Sequence, residues 1–246
     1  MAGSASRMNL LAFDTSTETL SIAVSAGAHA AVLEHTAPGG PQASAALIPA
    51  VQGLLARAGV ALGELSAIAF GRGPGSFTGL RTAAAVAQGL GFGAGVPVLP
   101  IDTLLAVAEE AHGAAGATRV VALLDARMDQ VYWAAYERVD GRWHTRQAPA
   151  LGRPEDVAVP PGWALAGNAL ELHAHRLPVA DGRIVALPTA RALLRLAPAA
   201  LAGAGPHDAV HALPLYIRDK VAQTTEERAA DRARKELVAA SMGRAA

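Results

Sequence analysis

The chain has 246 residues, of which 52% are hydrophobic and 17% charged, so it can bury the core of one large domain or two smaller ones and is not a disordered chain. Basic and acidic residues both number 21, and this zero net charge argues against a protein that grips nucleic acid by charge alone. Cysteine is absent, which excludes disulfides, thiolate metal sites and cysteine nucleophiles.

The first half of the sequence alternates apolar runs with turn residues in a way that predicts strands and helices in the order βββαβαβ. The predicted strands are 9–13, 20–25, 30–35, 67–70 and 98–99, and the predicted helices are 44–58 and 77–90. The first three strands are predicted to form an antiparallel meander.

The second half begins with a helix and then repeats the same plan. The predicted strands are 119–124, 130–138, a strand from 142, 163–166 and 215–217, and the predicted helices are 103–111, 169–175 and 189–201. The segments LLAFDTSTETLSIAV and VVALLDARMDQVYWAAY both run strand, aspartate, turn, strand, which indicates a duplicated fold. We therefore expect two lobes facing each other, with Asp14 and Asp125 directed into the cleft between them.

This plan divides the chain into three parts. We assign 1–104 to the first lobe, with 1–7 as an extension, and 105–214 to the second lobe. The rest, 215–246, is predicted to return to the fold and then to form a charged, partly frayed helix. The most apolar window, 82–101, is broken by two prolines and four glycines, so we expect a soluble, cytoplasmic protein without membrane contact.

The stretch GRGPGSFTG, residues 71–79, is the most distinctive feature of the sequence. It has no lysine for a phosphate-binding P-loop, and it matches neither GxGxxG nor GxSxG. Two interpretations stay open: backbone N–H groups near Gly75 and Ser76 bind an anion, or the glycines allow a tight turn. Asp14 and Thr15 are either turn caps or ligands for magnesium and phosphate. Asp125 has the same two interpretations, and an ion pair is a third one for it.

The two predicted helices of the first lobe carry small apolar residues at helical spacing. These faces could pack on the chain's own sheet, or they could form a surface for a partner protein. The candidate partner residues are Ala46, Leu47, Ala50, Val51, Leu54, Thr82, Ala83, Val86 and Leu90.

His207 and His211 have the i, i+4 spacing of a metal pair. Gly205, Pro206 and Pro214 leave little room for the helix that such a pair requires, so no metal site is predicted. His173 is expected to be solvated.

Five segments of the sequence together resemble the TsaB (YeaZ) family: FDTST, GRGPGSFTGLR, AQGL, DARMDQVYWAAY and PLYIRD, within residues 8–221. The resemblance implies two RNase H-like lobes of the actin-like and sugar-kinase superfamily. It also implies a subunit of the machinery that makes threonylcarbamoyladenosine in tRNA, paired with the paralogous transferase TsaD and acting with a TsaE-like ATPase. In such a complex tRNA is met only through the assembly, and the chain alone is expected to form a homodimer.

TsaD-like proteins carry an HxxxH metal pair on an early helix, whereas residues 42–47 here contain no histidine. The resemblance therefore implies a pseudoenzyme without a catalytic residue, a metal or a required cofactor, and with at most weak binding of ATP or ADP. The main alternative is an ATPase or kinase of the same fold, for which the first lobe offers Asp14 but no lysine. A protease is a further hypothesis, but the sequence shows no Ser/His/Asp set in support of it.

Overall fold

The structure is a computed structural model and describes residues 8–27, 31–203 and 208–218. Its strands are β1 Asn9–Asp14, β2 Thr19–Ala26, β3 Leu33–Pro38, β4 Ala67–Gly73, β5 Val98–Asp102, β6 Arg119–Asp125, β7 Val131–Val139, β8 Arg142–Gly152, β9 Ala164–Gly167 and β10 Gly182–Ile184. Its helices are α1 Ala43–Ala58, α2 Phe77–Ala94, α3 Thr103–Ala115, α4 Ala169–Leu172 and α5 Ala190–Gly203. No helix in these ranges is long and apolar enough to cross a bilayer.

The strands form two five-stranded mixed sheets with the same topology. The first sheet has the order β3-β2-β1-β4-β5, and the second has the order β10-β9-β6-β7-β8. In each, the first strand pairs antiparallel with the second and parallel with the fourth. The α/β class and the duplicated plan are therefore confirmed.

Helices α3 and α5 connect the two lobes. Strand β1 is buried on both faces: Leu11 and Phe13 pack in the core beneath α1 and α2, whereas Leu10 and Ala12 pack against α5. Helix α3, which follows the first sheet in the chain, packs on the second sheet through Leu104, Val107 and Ala108, while Ala106 packs against the first sheet. The predicted boundary at 104/105 thus separates the sheets in chain order, but α5 lies beyond it and covers the first sheet. The strands of that sheet are apolar on both faces, so both faces need an apolar cover.

A buried carboxylate ties these crossing helices to the second sheet. Glu109 of α3 is 5% exposed and accepts hydrogen bonds from Arg195 Nε of α5 at 2.8 Å and from Trp143 Nε1 of β8 at 2.7 Å. Arg138 of β7 lies 3.4 Å from the same carboxylate. We call these four residues the Glu109 cluster; they join the lobes on the side away from the cleft.

The structure differs from the predicted elements at a few places. Residues 215–217, predicted as a strand, belong to neither sheet, although Leu215 N donates a hydrogen bond to Arg72 O at 2.7 Å. Strand β10 was not predicted, α4 is shorter than predicted, and β3 begins three residues later. The predicted extension at 1–7 and the tail helix lie outside the described residues.

Candidate functional site

Three of the four glycines in the 71–79 stretch, Gly71, Gly75 and Gly79, lie against the end of β1 and the turn that joins it to β2. A Cβ at position 71 would lie 1.7 Å from Asp14 Oδ2, and one at position 75 would lie 2.6 Å from Ser16 O. A Cβ at position 79 would lie 1.8 Å from Thr15 O. No residue with a side chain fits at these approaches, so packing against the β1–β2 turn explains these three glycines.

Asp14 lies behind this contact and has no exposed surface. Its Oδ1 accepts hydrogen bonds from Ser16 N at 2.8 Å and Ser16 Oγ at 2.5 Å, and its Oδ2 accepts one from Thr103 Oγ1 at 3.4 Å. Burial raises the pKa of Asp14 to about 6, against the opposing effect of these hydrogen bonds. The prediction that Asp14 points into the cleft is therefore wrong, because the glycine segment closes over its carboxylate.

Thr15 is equally inaccessible. Its Oγ1 donates to Gly79 O at 2.6 Å, and the neighbouring Ser16 O accepts a hydrogen bond from Ser76 N at 2.7 Å. Ser76 precedes the first turn of α2 with an exposed side chain that makes no capping hydrogen bond. The β1–β2 turn and the start of α2 thus bond to each other.

A cavity of about 360 Å³ lies between the lobes beside this contact. Of the five predicted anion-site residues, Gly75, Ser76 and Asp125 line it, whereas Asp14 and Thr15 do not. The wall from the second lobe includes Arg127, and residues 215–218 form a further wall. The structure therefore brings only part of the predicted set to the cleft.

Asp125 at the end of β6 holds a compact polar arrangement. Its backbone N–H donates to Asn168 Oδ1 at 2.9 Å, and its Oδ1 accepts from Arg127 N at 3.2 Å. His173 Nε2 lies 3.5 Å from Asp125 Oδ1. His173 is 7% exposed rather than solvated, since residues 169–177 fold the imidazole against the end of β6.

The β6–β7 turn contains an unusual backbone that pattern reasoning missed. Arg127, Met128 and Asp129 have φ of 60°, 56° and 57°, and none is glycine. Such left-handed residues cost about 1 kcal/mol each, so the surrounding fold must hold them. Within the turn, Ala126 N donates to Gln130 O at 2.9 Å, and the Arg127 side chain forms an ion pair with Glu18 of the first lobe.

The predicted partner residues divide by burial. Four pack in the first-lobe core and are 0–2% exposed, namely Leu47, Val51, Leu54 and Ala83. Five are half-buried, namely Ala46, Ala50, Thr82, Val86 and Leu90. Assigning the first four to a partner surface was wrong, because the apolar stripe of each helix faces its own sheet.

Other residues, which the sequence did not single out, are exposed on the same two helices. Ile48 of α1 is 42% exposed and Phe92 of α2 is 61% exposed. Gly53, Gly89 and Gly93 are exposed, and no atom lies within 4 Å of the place where a Cβ would be. We call the half-buried and exposed residues of α1 and α2 the α1–α2 surface.

The part of the chain that the structure describes contains no group of three or more histidine, aspartate or glutamate side chains able to hold a metal. His211 ends the short 3₁₀ turn Ala209–His211, and His207 lies outside the described residues.

Comparison with known proteins gives concordant results. The family model described as "TsaD: tRNA N6-adenosine threonylcarbamoyltransferase" matches residues 33–241. The chain is 36% identical over 232 residues to the tRNA threonylcarbamoyladenosine biosynthesis protein TsaB of Escherichia coli, covering 87% of this chain and 96% of that protein. It is 34% identical to TsaB of Haemophilus influenzae, covering 87% and 95%.

A solved structure agrees with these relatives. YeaZ from Pseudomonas aeruginosa is 42% identical and superimposes with a TM-score of 0.79, covering 85% of this chain and 99% of that one. The family model bears the name of the transferase, whereas the relatives matched over nearly their full length are TsaB proteins. The chain belongs to the TsaB (YeaZ) family.

Proposed function

We propose that this protein is a non-catalytic subunit for the formation of threonylcarbamoyladenosine in tRNA, acting in the cytoplasm. It pairs through the α1–α2 surface with a TsaD-like transferase, works with a TsaE-like ATPase, and meets tRNA only within that assembly. When the transferase is absent, the same surface joins two copies of this chain.

The observation that carries this proposal is the set of exposed helical glycines. Each glycine in a helix interior costs about 1 kcal/mol relative to alanine. Gly53, Gly89 and Gly93 have open space where a Cβ would be, so packing within this chain does not explain them. Helices that approach each other closely need small residues at the contact, and a second protein seated here would supply that need.

The apolar side chains around these glycines support the same surface. Ile48 of α1 and Phe92 of α2 are large apolar side chains that are exposed in this chain. The half-buried Val86 and Leu90 pack against the first-lobe core and leave part of each side chain uncovered. Exposed large apolar side chains on two helices that contact each other are typical of a protein interface.

Two features support a non-catalytic role. Residues 42–47, where TsaD-like proteins carry their histidine pair, contain no imidazole. Asp14, the residue best suited to hold a nucleotide-bound magnesium, is enclosed by Gly71 and bonded to Ser16. In this proposal the chain has no required cofactor, and any ATP or ADP binds weakly in the cleft beside Ser76 and Asp125. The alternative, an ATPase or kinase, would need Asp14 to become accessible.

The test is the molar mass of the full chain, measured by light scattering during size exclusion, alone and mixed with TsaD from the same organism. We expect two copies alone and one copy of each protein after mixing. Gly89→Arg and Ile48→Arg should abolish both associations, because each places a charge on the α1–α2 surface. Val179→Arg is the matched control: Val179 is 92% exposed in the second lobe, and its replacement should leave both masses unchanged.

If mixing leaves the mass of the chain unchanged, the pairing proposal is refuted. If Val179→Arg weakens pairing as much as Gly89→Arg, the location of the surface is wrong. ATP hydrolysis by the chain alone, above that of a buffer blank, would favour the ATPase alternative.

A further inference from the structure

We propose that residues 215–218 form a strap that crosses the mouth of the cleft and fixes the two lobes at one angle. The strap bonds to the first lobe through its first half and to the second lobe through its last residues. It therefore acts as a tie between two bodies, in addition to forming a wall of the cavity.

The attachment to the first lobe uses backbone and aromatic contacts. Leu215 N donates to Arg72 O at 2.7 Å, which fixes the strap beside the end of β4. The ring of Tyr216 lies 5.4 Å from the ring of Phe77, at the start of α2. Arg81 lies 3.9 Å above the Phe77 ring and donates its Nε–H to Tyr216 Oη at 3.0 Å. Three residues of α2 and β4 thus hold two consecutive strap residues.

The attachment to the second lobe is made by an arginine fork and an apolar side chain. Arg218 Nη2 donates to Ala126 O at 2.9 Å and to Gln130 Oε1 at 2.8 Å. Both acceptors belong to the β6–β7 turn, whose left-handed residues need support from outside the turn. Ile217 packs against the apolar core of the second lobe.

The position of the strap allows it to restrain opening of the two lobes. The Glu109 cluster joins α3 and α5 to Arg138 near the end of β7, whereas Asp125 and Tyr132 line the cavity at the other end of the β6–β7 pair. In this proposal the lobes open about the end that the Glu109 cluster holds. Two-lobed proteins commonly open and close about such a hinge. The other tie across the mouth, between Arg127 and Glu18, joins side chains that are 71% and 77% exposed, so solvent weakens it. The strap is therefore the main restraint on opening.

The absence of cysteine allows a direct test in the full chain. Thr36→Cys on β3 and Thr145→Cys on β8, both at exposed positions outside the α1–α2 surface, place one spin label on each lobe, and the labelled chain is diluted with unlabelled chain so that distances between copies are not measured. Double electron–electron resonance then measures the distribution of distances between the labels. We expect one narrow distribution in the labelled parent. The double replacement Tyr216→Ala, Arg218→Ala should broaden it and shift part of it to longer distances.

Three controls make the result specific. Leu213→Ala, at a 62% exposed position just before the strap, should leave the distribution narrow. Tyr216→Phe, which keeps the ring contact, should give an intermediate width. If the double variant unfolds, as judged by its circular dichroism, Arg218→Lys replaces it, because lysine keeps the charge but loses the fork that reaches both acceptors. The proposal is overturned if the folded strap variant shows the parental distribution, or if Leu213→Ala broadens it equally.

Discussion

Two glycines of the same helix provide a sharp test of the contact between the glycine segment and the β1–β2 turn. Gly79 lies in the first turn of α2, and Gly89 lies ten residues further along the same helix. Alanine is favoured over glycine at either position by about 1 kcal/mol of helix propensity. Any difference between Gly79→Ala and Gly89→Ala therefore reports tertiary contact.

The structure sets the size of the effect at position 79. The new Cβ would lie 1.8 Å from Thr15 O, and such atoms essentially never approach closer than 3.0 Å. The start of α2 must therefore move away from the β1–β2 turn by more than about 1 Å, which the tight packing of the interior resists. That movement breaks the hydrogen bonds Thr15 Oγ1 to Gly79 O, at 2.6 Å, and Ser76 N to Ser16 O, at 2.7 Å.

Each of the two buried hydrogen bonds lost costs about 1–3 kcal/mol, and the gain in helix propensity offsets about 1 kcal/mol, so Gly79→Ala should lower the free energy of unfolding by about 1–5 kcal/mol. In a chain of this length that corresponds to a fall of about 10 °C in Tm. Gly89→Ala meets no atom of its own chain within 4 Å, so it should raise Tm by about 2–4 °C when unfolding is measured at a protein concentration at which light scattering gives a single copy.

Thermal and urea unfolding followed by circular dichroism at 222 nm measures both variants against the parent. Equal stability of the two variants would refute the reasoning, because it would mean that the first turn of α2 does not depend on its contact with Thr15. A less stable Gly89→Ala variant would show that the propensity argument fails on this helix.

Three further predictions concern buried charge and the β6–β7 turn. Glu109→Gln should lower the free energy of unfolding by about 3–5 kcal/mol in a urea titration, since Arg138 and Arg195 lose their shared counter-charge. The exposed control Glu171→Gln should leave the free energy of unfolding unchanged. Equal urea midpoints for Glu109→Gln and the parent would contradict the prediction. Because burial raises the pKa of Asp14 from 3.8 to about 6, the folded state binds this proton more tightly than the unfolded state, so the contribution of Asp14 to stability should rise by about 3 kcal/mol as pH falls through 6 towards 4. Asp14→Asn should remove this difference, and parallel pH profiles for parent and variant would count against it. Met128→Gly should stabilise the protein by about 1 kcal/mol, as glycine accepts a φ of 56° without strain; a lower Tm would contradict this.

The alternation of apolar runs and turn residues was sufficient to predict both sheets, because β1 to β5 and β6 to β9 each contain enough apolar residues to form strands locally. The segments FDTST and GRGPGSFTGLR were sufficient to indicate the family. In the structure these two segments pack against each other. The contact between the two segments could not be predicted from the sequence. Gly71 and Asp14 are more than fifty residues apart, and the sequence does not show that the Asp14 carboxylate occupies the space that a side chain at position 71 would need.

The sequence by itself determined the element order, the duplication and the apolar faces of the helices. Only the tertiary structure decided which of those faces were already used: Leu47 and Val51 pack on the chain's own sheet, whereas Ile48 beside them is exposed. It also decided that α5 covers the first sheet, that Asp14 is enclosed, and that residues 215–218 tie the lobes. The physical reason is that local patterns report what a segment can bury, whereas the partner that buries it is chosen by contacts between residues far apart in the chain.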